Sequence, residues 1–275
     1  NIYTIDYRYY ATPFFASIVA EDSNEVQEQT VAISKYSLEG NDVTLAAVGE
    51  VKGAPLNQFS MDEYNGYFRI ATTSGWGEKT NNRLYVLNEE LTIVSELDNL
   101  GKPGERLQSS RFLGDIAYLV TFEQTDPFYV IDLANPLNPS ILGELEITGF
   151  STYIHPIDQN HVLGIGFEAD ENGRRTGLKI SIYDVTDQTN PLETFKHVIL
   201  YEEQGWNWSS VAYNHKDLLF DANKGIIGFP FASEVYENNQ YNWESGYLLF
   251  NFDVDSGLDQ LGYITHGTTQ DYVDY

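Results

Sequence analysis

The chain has 275 residues, 42% hydrophobic and 14% aromatic, which is enough apolar material to bury a core and too much for a disordered polypeptide. Its 41 acidic residues against 15 basic give a net charge of −26, which repels phosphate backbones and anionic membrane surfaces, so nucleic acid is not an expected partner. With no cysteine, disulfides, thiolate metal sites and cysteine nucleophiles are excluded.

The chain opens with Asn1 and Ile2 in place of Met and a basic segment, and reads as a processed or excised piece. No apolar run reaches the ~20 residues that a membrane-spanning helix needs, so no membrane insertion is expected of this segment. Residues 2–10 read as a strand, 13–29 as a long insertion, and 30–37 and 43–50 as two more strands, a unit that lacks its opening strand.

From residue 58 the pattern becomes regular. Segments 67–72, 117–122, 161–167 and 225–231 each read as a buried strand after a polar turn, and the units around them start near Gln58, Leu107, Phe150 and Ser209, a period of roughly 45 to 60 residues. Within a unit the order is an opening strand, a tight turn, a buried strand, a variable loop and two further strands joined by a turn. That is the four-stranded meander of a propeller blade. The second unit shows it best, with 58–64, the Asn65-Gly66 turn, 67–73, 83–87 and 92–97; Asn-Gly favours a hairpin because both residues accept positive φ. In the third unit Gly114 and Asp115 hold the same turn, followed by 128–133 and 141–147. The fourth inserts a polar loop at 169–177 and the fifth another at 233–245, both projecting from one face. The polar, acidic stretch 268–275 has little strand character. The expected fold is therefore all-β, a single β-propeller domain or a fragment of one over 1–275, with about five four-stranded blades at 1–55, 56–103, 104–148, 149–207 and 208–267, the first incomplete.

Most distinctive residues read as architecture. The run Asp132 to Pro139 (DLANPLNP) recurs as Asp184 to Pro191 (DVTDQTNP): Asp and Asn cap a turn with side-chain to backbone hydrogen bonds and Pro fixes φ, although calcium is a second reading of these carboxylates. Asp170, Glu171, Asn172 and Gly173 resemble the start of a calcium loop, but the spaced ligands and closing Glu do not follow and Arg174 and Arg175 would repel a cation. No cofactor is expected, and calcium has no assignable site. The five histidines show no zinc-hydrolase spacing, no Ser lies in a Gly-x-Ser-x-Gly elbow, and Gly164-Ile165-Gly166 lacks the third glycine of a dinucleotide fold.

Two constellations remain. Counting back from the buried second strands puts Met61, Arg111 and His155 at matching positions, with His215 or Lys216 near the equivalent place, so Arg111, His155, His215 and Lys216 form a candidate cationic cluster at a propeller channel for a carboxylate or other small anion; the competing reading pairs each with a neighbouring blade's acid. Trp76, Trp206, Trp208 and Trp243 all fall in expected inter-strand loops, where they make an aromatic platform for sugar or peptide, or else ordinary packing.

Four runs carry a resemblance over most of the chain: LNQFSMDEYNGY from Leu56 to Tyr67, DPFYVIDL from Asp126 to Leu133, GFSTYIHP from Gly149 to Pro156 and, less closely, HKDLLFD from His215 to Asp221. They are similar to a family of uncharacterised secreted prokaryotic proteins with a C-terminal β-propeller domain, distantly WD40-like. The resemblance implies a ring of seven or eight blades when complete, with export or surface attachment, and no established activity. Such proteins begin before Asn1 and continue by at least one blade beyond the segment resembling Tyr263 to His266, so the rest of the same propeller is an expected partner. The reading that follows is a non-catalytic secreted or cell-surface interaction module, binding a protein or glycan through the loops 75–82, 169–177 and 233–245. The alternative is a polysaccharide hydrolase or lyase using channel carboxylates, which need only two acids roughly 5 to 9.5 Å apart.

Overall fold

The computed structural model describes residues 1–8, 29–122, 126–202, 205–237 and 239–268, and its regular structure is almost all strand, with four single 3₁₀ turns among those residues. The expected insertion at 13–29 falls outside them except for residue 29, and the tail beyond Thr268 falls outside entirely. Strands β1 (Ile2–Arg8), β2 (Thr30–Glu39) and β3 (Asp42–Lys52) form a three-stranded sheet in chain order. A second sheet follows from β4 (Met61–Tyr64), β5 (Tyr67–Ser74), β6 (Asn81–Leu87) and β7 (Ile93–Leu100). The third contains β8 (Arg106–Leu113), β9 (Ile116–Phe122), β10 (Asp126–Asp132) and β11 (Ser140–Ile147), and the fourth β12 (Phe150–Pro156), β13 (His161–Ala169), β14 (Arg175–Asp184) and β15 (Leu192–Leu200). The fifth holds β16 (Gly205–Trp208), β17 (Leu219–Asp221), β18 (Ile226–Glu237), β19 (Gln240–Asp253) and β20 (Gly257–Thr268), with β16 and β17 both pairing with β18. The chain divides into two compact units, Asn1–Ala117 with Ile131–Ile141 and Tyr118–Val130 with Leu142–Tyr275.

Local chemistry explains the meanders. Asn65 and Gly66 carry φ of 51° and 81° between the paired Tyr64 and Tyr67, a two-residue hairpin turn that twists with its strands. In β6 every residue after Asn81 is buried, and in β14 the run from Gly177 to Tyr183 is, because a strand in the middle of a sheet covered on both faces must be apolar almost continuously. The fourth strands β11 and β15 alternate instead, leaving every second side chain more exposed.

In the first unit, Val31, Ile33 and Val51 from the first sheet pack against Phe68, Ile70, Tyr85 and Leu87 from the second, with Tyr3 stacked on Phe68 at 4.4 Å. In the second unit Phe122 stacks on Phe150 at 4.2 Å and Phe128 on Tyr183 at 4.7 Å. Each such aromatic removes 150–250 Å² from water and contributes on the order of 2–3 kcal/mol.

One joint recurs within both units: the last strand of one sheet meets the turn between the third and fourth strands of the next. Gly49 of β3 abuts Leu91; Ser95 of β7 donates to the Pro136 carbonyl at 2.5 Å; Gly143 of β11 abuts Gln188 and Thr189; and Phe195 of β15 covers Gly257. The DLANPLNP repeat supplies two of these turns. The Asp132 carboxylate accepts the Ala134 N–H at 2.9 Å and Asn135 the Leu137 N–H at 3.1 Å, while Asp184 accepts Thr186 N–H at 2.8 Å and Asp187 Thr189 N–H at 3.0 Å.

Three expected boundaries shift. The expected loop at 169–177 narrows to the turn 170–174, between the end of β13 at Ala169 and the start of β14 at Arg175, and in it Asp170 accepts the N–H groups of Asn172 and Arg174, both at 2.9 Å. The segment 233–245 is a β-ribbon, with β18 and β19 in register out to Glu237 and Gln240 and Asn239 at φ 63°. In the fifth sheet the edge strand β16 precedes Ser209, and the 3₁₀ turns Ser210–Ala212 and His215–Asp217 intervene before β17.

Candidate functional site

Arg111 lies on β8 in the first unit with its guanidinium 4.4 Å over the Phe59 ring, and its Nη1 is buried without a hydrogen-bond partner. Three other arginines of that unit are engaged. Arg69 forks onto Asp62 and donates to the Gly114 carbonyl, Arg83 pairs with Asp98 at 2.6 Å, and Arg106 donates to the Gly75 carbonyl at 2.8 Å. In the second unit His155 of β12 takes its Nδ1 to 3.0 Å from the Tyr153 hydroxyl and sets its ring 4.4 Å from Phe220 of β17. His215 and Lys216 sit on the Asn214-capped 3₁₀ turn rather than on a strand, with Lys216 exposed.

Strand register gathers the tryptophans of the fifth sheet. Trp206 and Trp208 share one face of β16, with ring centroids 6.4 Å apart and planes 23° from parallel, and they remain 45% and 37% exposed. Trp206 pairs with Glu234 of β18, which pairs in turn with Trp243 of β19, and directly paired residues point to the same side. Trp206, Glu234 and Trp243 therefore form a row across three strands, with Trp208, Ala232 and Ser245 in the row beside it. Trp76 lies in the first unit, 81% exposed, with the Arg106 guanidinium 4.5 Å over its ring.

Beside this ribbon, β15, β16 and the last strands of the fifth sheet enclose a cleft of about 290 Å³. Its walls include Trp206, Phe231 and Tyr263, its polar lining includes Glu202, Glu244 and Gln260, and no lining residue is basic. Phe231 and Tyr263 meet edge to face at 5.9 Å and 88°. Gly246 lets the Tyr263 ring lie against the sheet, since a Cβ there would stand 2.6 Å from it. Burial, and then the charge of Glu244, push the Tyr263 phenol up to about 12, so it stays protonated at neutral pH. The phenolic oxygen is buried and has no hydrogen-bond partner. Asn207 fixes the adjoining wall: it is 4% exposed, accepts the Leu178 N–H at 3.0 Å, and donates to the Ile199 and Leu200 carbonyls, both at 3.0 Å. Sequence reasoning found Trp206 but missed Glu202, Glu244 and Tyr263, which are far apart in the chain and line one cleft only in the fold.

A second cleft, about 460 Å³ in the first unit, is lined by Thr30, Glu50, Lys52, Arg83, Tyr85 and Asp98 among others, and its Arg83 and Asp98 charges neutralise each other. Among the described residues no three His, Asp or Glu side chains gather in a metal-binding set.

The chain is 44% identical over 204 residues to an uncharacterised protein of Archaeoglobus fulgidus and 43% identical over 207 residues to one of Methanocaldococcus jannaschii. Each alignment takes in 74% of this chain but 30% and 31% of the relative, so the chain spans about a third of the length of the curated relatives it matches. Among solved structures, the β-propeller domain of the trilobed protease from Pyrococcus furiosus overlaps 79% of this chain and 72% of its own at 11% identity and a TM-score of 0.33. The α-L-arabinofuranosidase of Podospora anserina in complex with cellotriose overlaps 74% and 65% at 11% identity and a TM-score of 0.30. Neither overlap bears on what this chain binds. The beta propeller domain family matches residues 1–275, the whole chain, in accord with the successive antiparallel meanders, and the protein belongs to that family.

Proposed function

We propose that the chain is a non-catalytic interaction module of a secreted or cell-surface protein, and that it binds a glycan on the tryptophan row of its fifth sheet. The observation that carries this reading is the side-by-side exposure of Trp206 and Trp208 on β16, in register with Trp243 two strands away. Exposed, near-parallel indoles held on a sheet present flat apolar faces at low conformational cost, and such faces take sugar rings by stacking while neighbouring polar groups take the hydroxyls. The net charge of −26 argues against polyanionic glycans and favours neutral or cationic ones.

The test is affinity electrophoresis and calorimetry of the whole chain against a panel of soluble neutral and cationic glycans. Trp206→Ala with Trp208→Ala should weaken binding at least tenfold without changing the melting temperature, while Trp76→Ala should leave it unchanged. Undiminished affinity in the double variant would remove the proposal; retention of protein ligands only would make the partner a protein. A hydrolase or lyase is favoured by one feature, the two carboxylates Glu202 and Glu244 on one cleft. New reducing ends appearing with the wild type, and not with Glu202→Gln or Glu244→Gln, would establish that reading instead.

A further inference from the structure

We infer that the outward face of the first sheet is a docking surface for a further four-stranded antiparallel sheet of the same propeller. That sheet is supplied by polypeptide of this protein beyond the 275 residues, and its last strand seats on the β2–β3 turn. The inference is independent of the glycan reading.

Register defines the face. Ile2 pairs with Tyr36 and Tyr36 with Leu45, while Leu38 pairs with Val43 and Ser34 with Val48, and directly paired residues point to the same side. Ala46 is an extra residue in β3 opposite the step from Lys35 to Tyr36, a bulge that puts Leu45 and Val48 on one side although they are three residues apart. Ile2, Leu38, Val43, Leu45 and Val48 therefore project together, and each is between 46% and 60% exposed. The polar residues of this side, Asp6 and Glu50, flank Ala32 at the far end of the sheet. The opposite side carries Val31, Ile33 and Val51, all buried against the second sheet. A sheet with one wet face alternates apolar with polar side chains, whereas near the β2–β3 turn this one is apolar on both sides, the pattern of a sheet covered on both. A contiguous exposed apolar patch of this kind marks an interaction surface.

The recurring joint says what covers it. In four places the last strand of one sheet meets the turn between the third and fourth strands of the next, at Leu91, Pro136, Gln188 with Thr189, and Gly257. The first sheet supplies the strand to one of these joints through Gly49, yet its own turn at Gly40 and Asn41 receives none. A Cβ on Gly40 would meet nothing within 4 Å, whereas one on Gly257 would stand 2.6 Å from the Phe195 ring. The bare turn adjoins the bare face, since Glu39 and Asp42 close it and Leu38 and Val43 are the next pair. In the second sheet the first sheet covers both counterparts, the turn at Leu91 and the face of Phe68, Ile70, Tyr85 and Leu87.

The occupant's source follows from length and charge. The matched stretch is 30% and 31% of the two archaeal relatives, which leaves polypeptide for further sheets. A tethered sheet meets the face at high effective concentration, while two separate copies, each with a net charge of −26, repel one another.

The chain has no cysteine, so single cysteines report their own exposure. The experiment measures maleimide labelling rates of Val43→Cys, Leu45→Cys, Val48→Cys and Asn41→Cys, in the 275-residue chain and in the complete gene product. Leu137→Cys, on the exposed turn between β10 and β11, is the reference, and melting temperatures verify folding. All four should label at least tenfold more slowly in the complete product, and Leu137→Cys at the same rate in both. Equal rates, or a complete product of these residues alone, overturn the inference. Protection of the three face positions without Asn41 overturns the sheet assignment, because something other than the recurring joint then covers the face. Slow labelling in the 275-residue chain that speeds up on dilution makes the occupant a second copy. Slow labelling there at every dilution makes it a segment of the chain itself, and either result overturns the assignment.

Discussion

Gly49 of β3 lies so close to Leu91 that a Cβ on the glycine would stand 2.4 Å from the Leu91 carbonyl oxygen. Gly49 has no positive φ, so glycine is needed there for the close approach of one sheet to the next sheet's turn and not for backbone conformation. Gly143 repeats the arrangement, with a Cβ 2.6 Å from the Gln188 carbonyl oxygen. Because the obstructing atoms are backbone, Gly49→Ala and Gly143→Ala should each cost about 1–3 kcal/mol, read as a lowered melting temperature. Gly262→Ala, with nothing within 4 Å, is the control and should change stability by less than about 0.5 kcal/mol.

Asn82 closes the next joint in the first unit. It is 1% exposed, and its amide donates to the carbonyls of Leu100 at 2.8 Å and Glu105 at 2.9 Å while its oxygen accepts from Leu107 N–H at 3.1 Å and Thr73 hydroxyl at 2.7 Å. Asn207 makes the corresponding clasp between β14, β15 and β16. Substituting either by leucine strands buried backbone groups, at about 1–3 kcal/mol for each one left unpaired. Chemical denaturation should show Asn82→Leu and Asn207→Leu several kcal/mol less stable than wild type. Asn207→Leu should also loosen the cleft wall and lower affinity there, an effect Asn82→Leu should not have.

What was legible in the sequence was what local chemistry decides. Asn65-Gly66 demands a hairpin, the Asp-x-x-Asn-Pro runs cap their own turns, and the apolar segments at 67–72 and 161–167 can only be buried strands. The ribbon at 233–245 was misread as a loop because Tyr236, Glu237, Gln240, Tyr241 and Asn242 are all exposed, so the inside-outside alternation that announces a strand is missing. His215 and Lys216 were misplaced on a strand because counting by blade fails where two 3₁₀ turns are inserted before β17. The cleft was invisible for another reason: Glu244 and Tyr263 are brought near each other by the register of β19 and β20, and Glu202 reaches them from the connection between β15 and β16, none of which composition and spacing encode.

Glu168 should make part of the stability dependent on pH. Burial by itself would raise its carboxyl, but Lys196, Thr148 and Lys179 more than offset that and hold it below its ordinary value of 4.5. A carboxyl depressed in the folded chain stabilises it above the unfolded pKa, and the contribution disappears as pH falls through the folded value. Wild type should therefore lose melting temperature progressively below about pH 4.5. Glu168→Gln should start lower at pH 7 and fall less steeply over that interval, though not flatly, since Asp158 and Asp184 are depressed too. Parallel curves for the two proteins would refute the assignment.

Two tyrosine-to-phenylalanine substitutions should shift stability in opposite directions. The Tyr183 hydroxyl is buried 3.0 Å from Ser151 Oγ, and removing it leaves that serine short of a partner, so Tyr183→Phe should cost about 1 kcal/mol. The Tyr263 hydroxyl is buried with nothing to bond to, so the folded chain bears its desolvation without return. Tyr263→Phe keeps the ring that packs on Phe231 and Gly246 and removes only that cost, and in the absence of ligand should leave the protein as stable as wild type or more so by about 1 kcal/mol. Thermal melts run beside wild type should then place Tyr263→Phe at or above it and Tyr183→Phe below it.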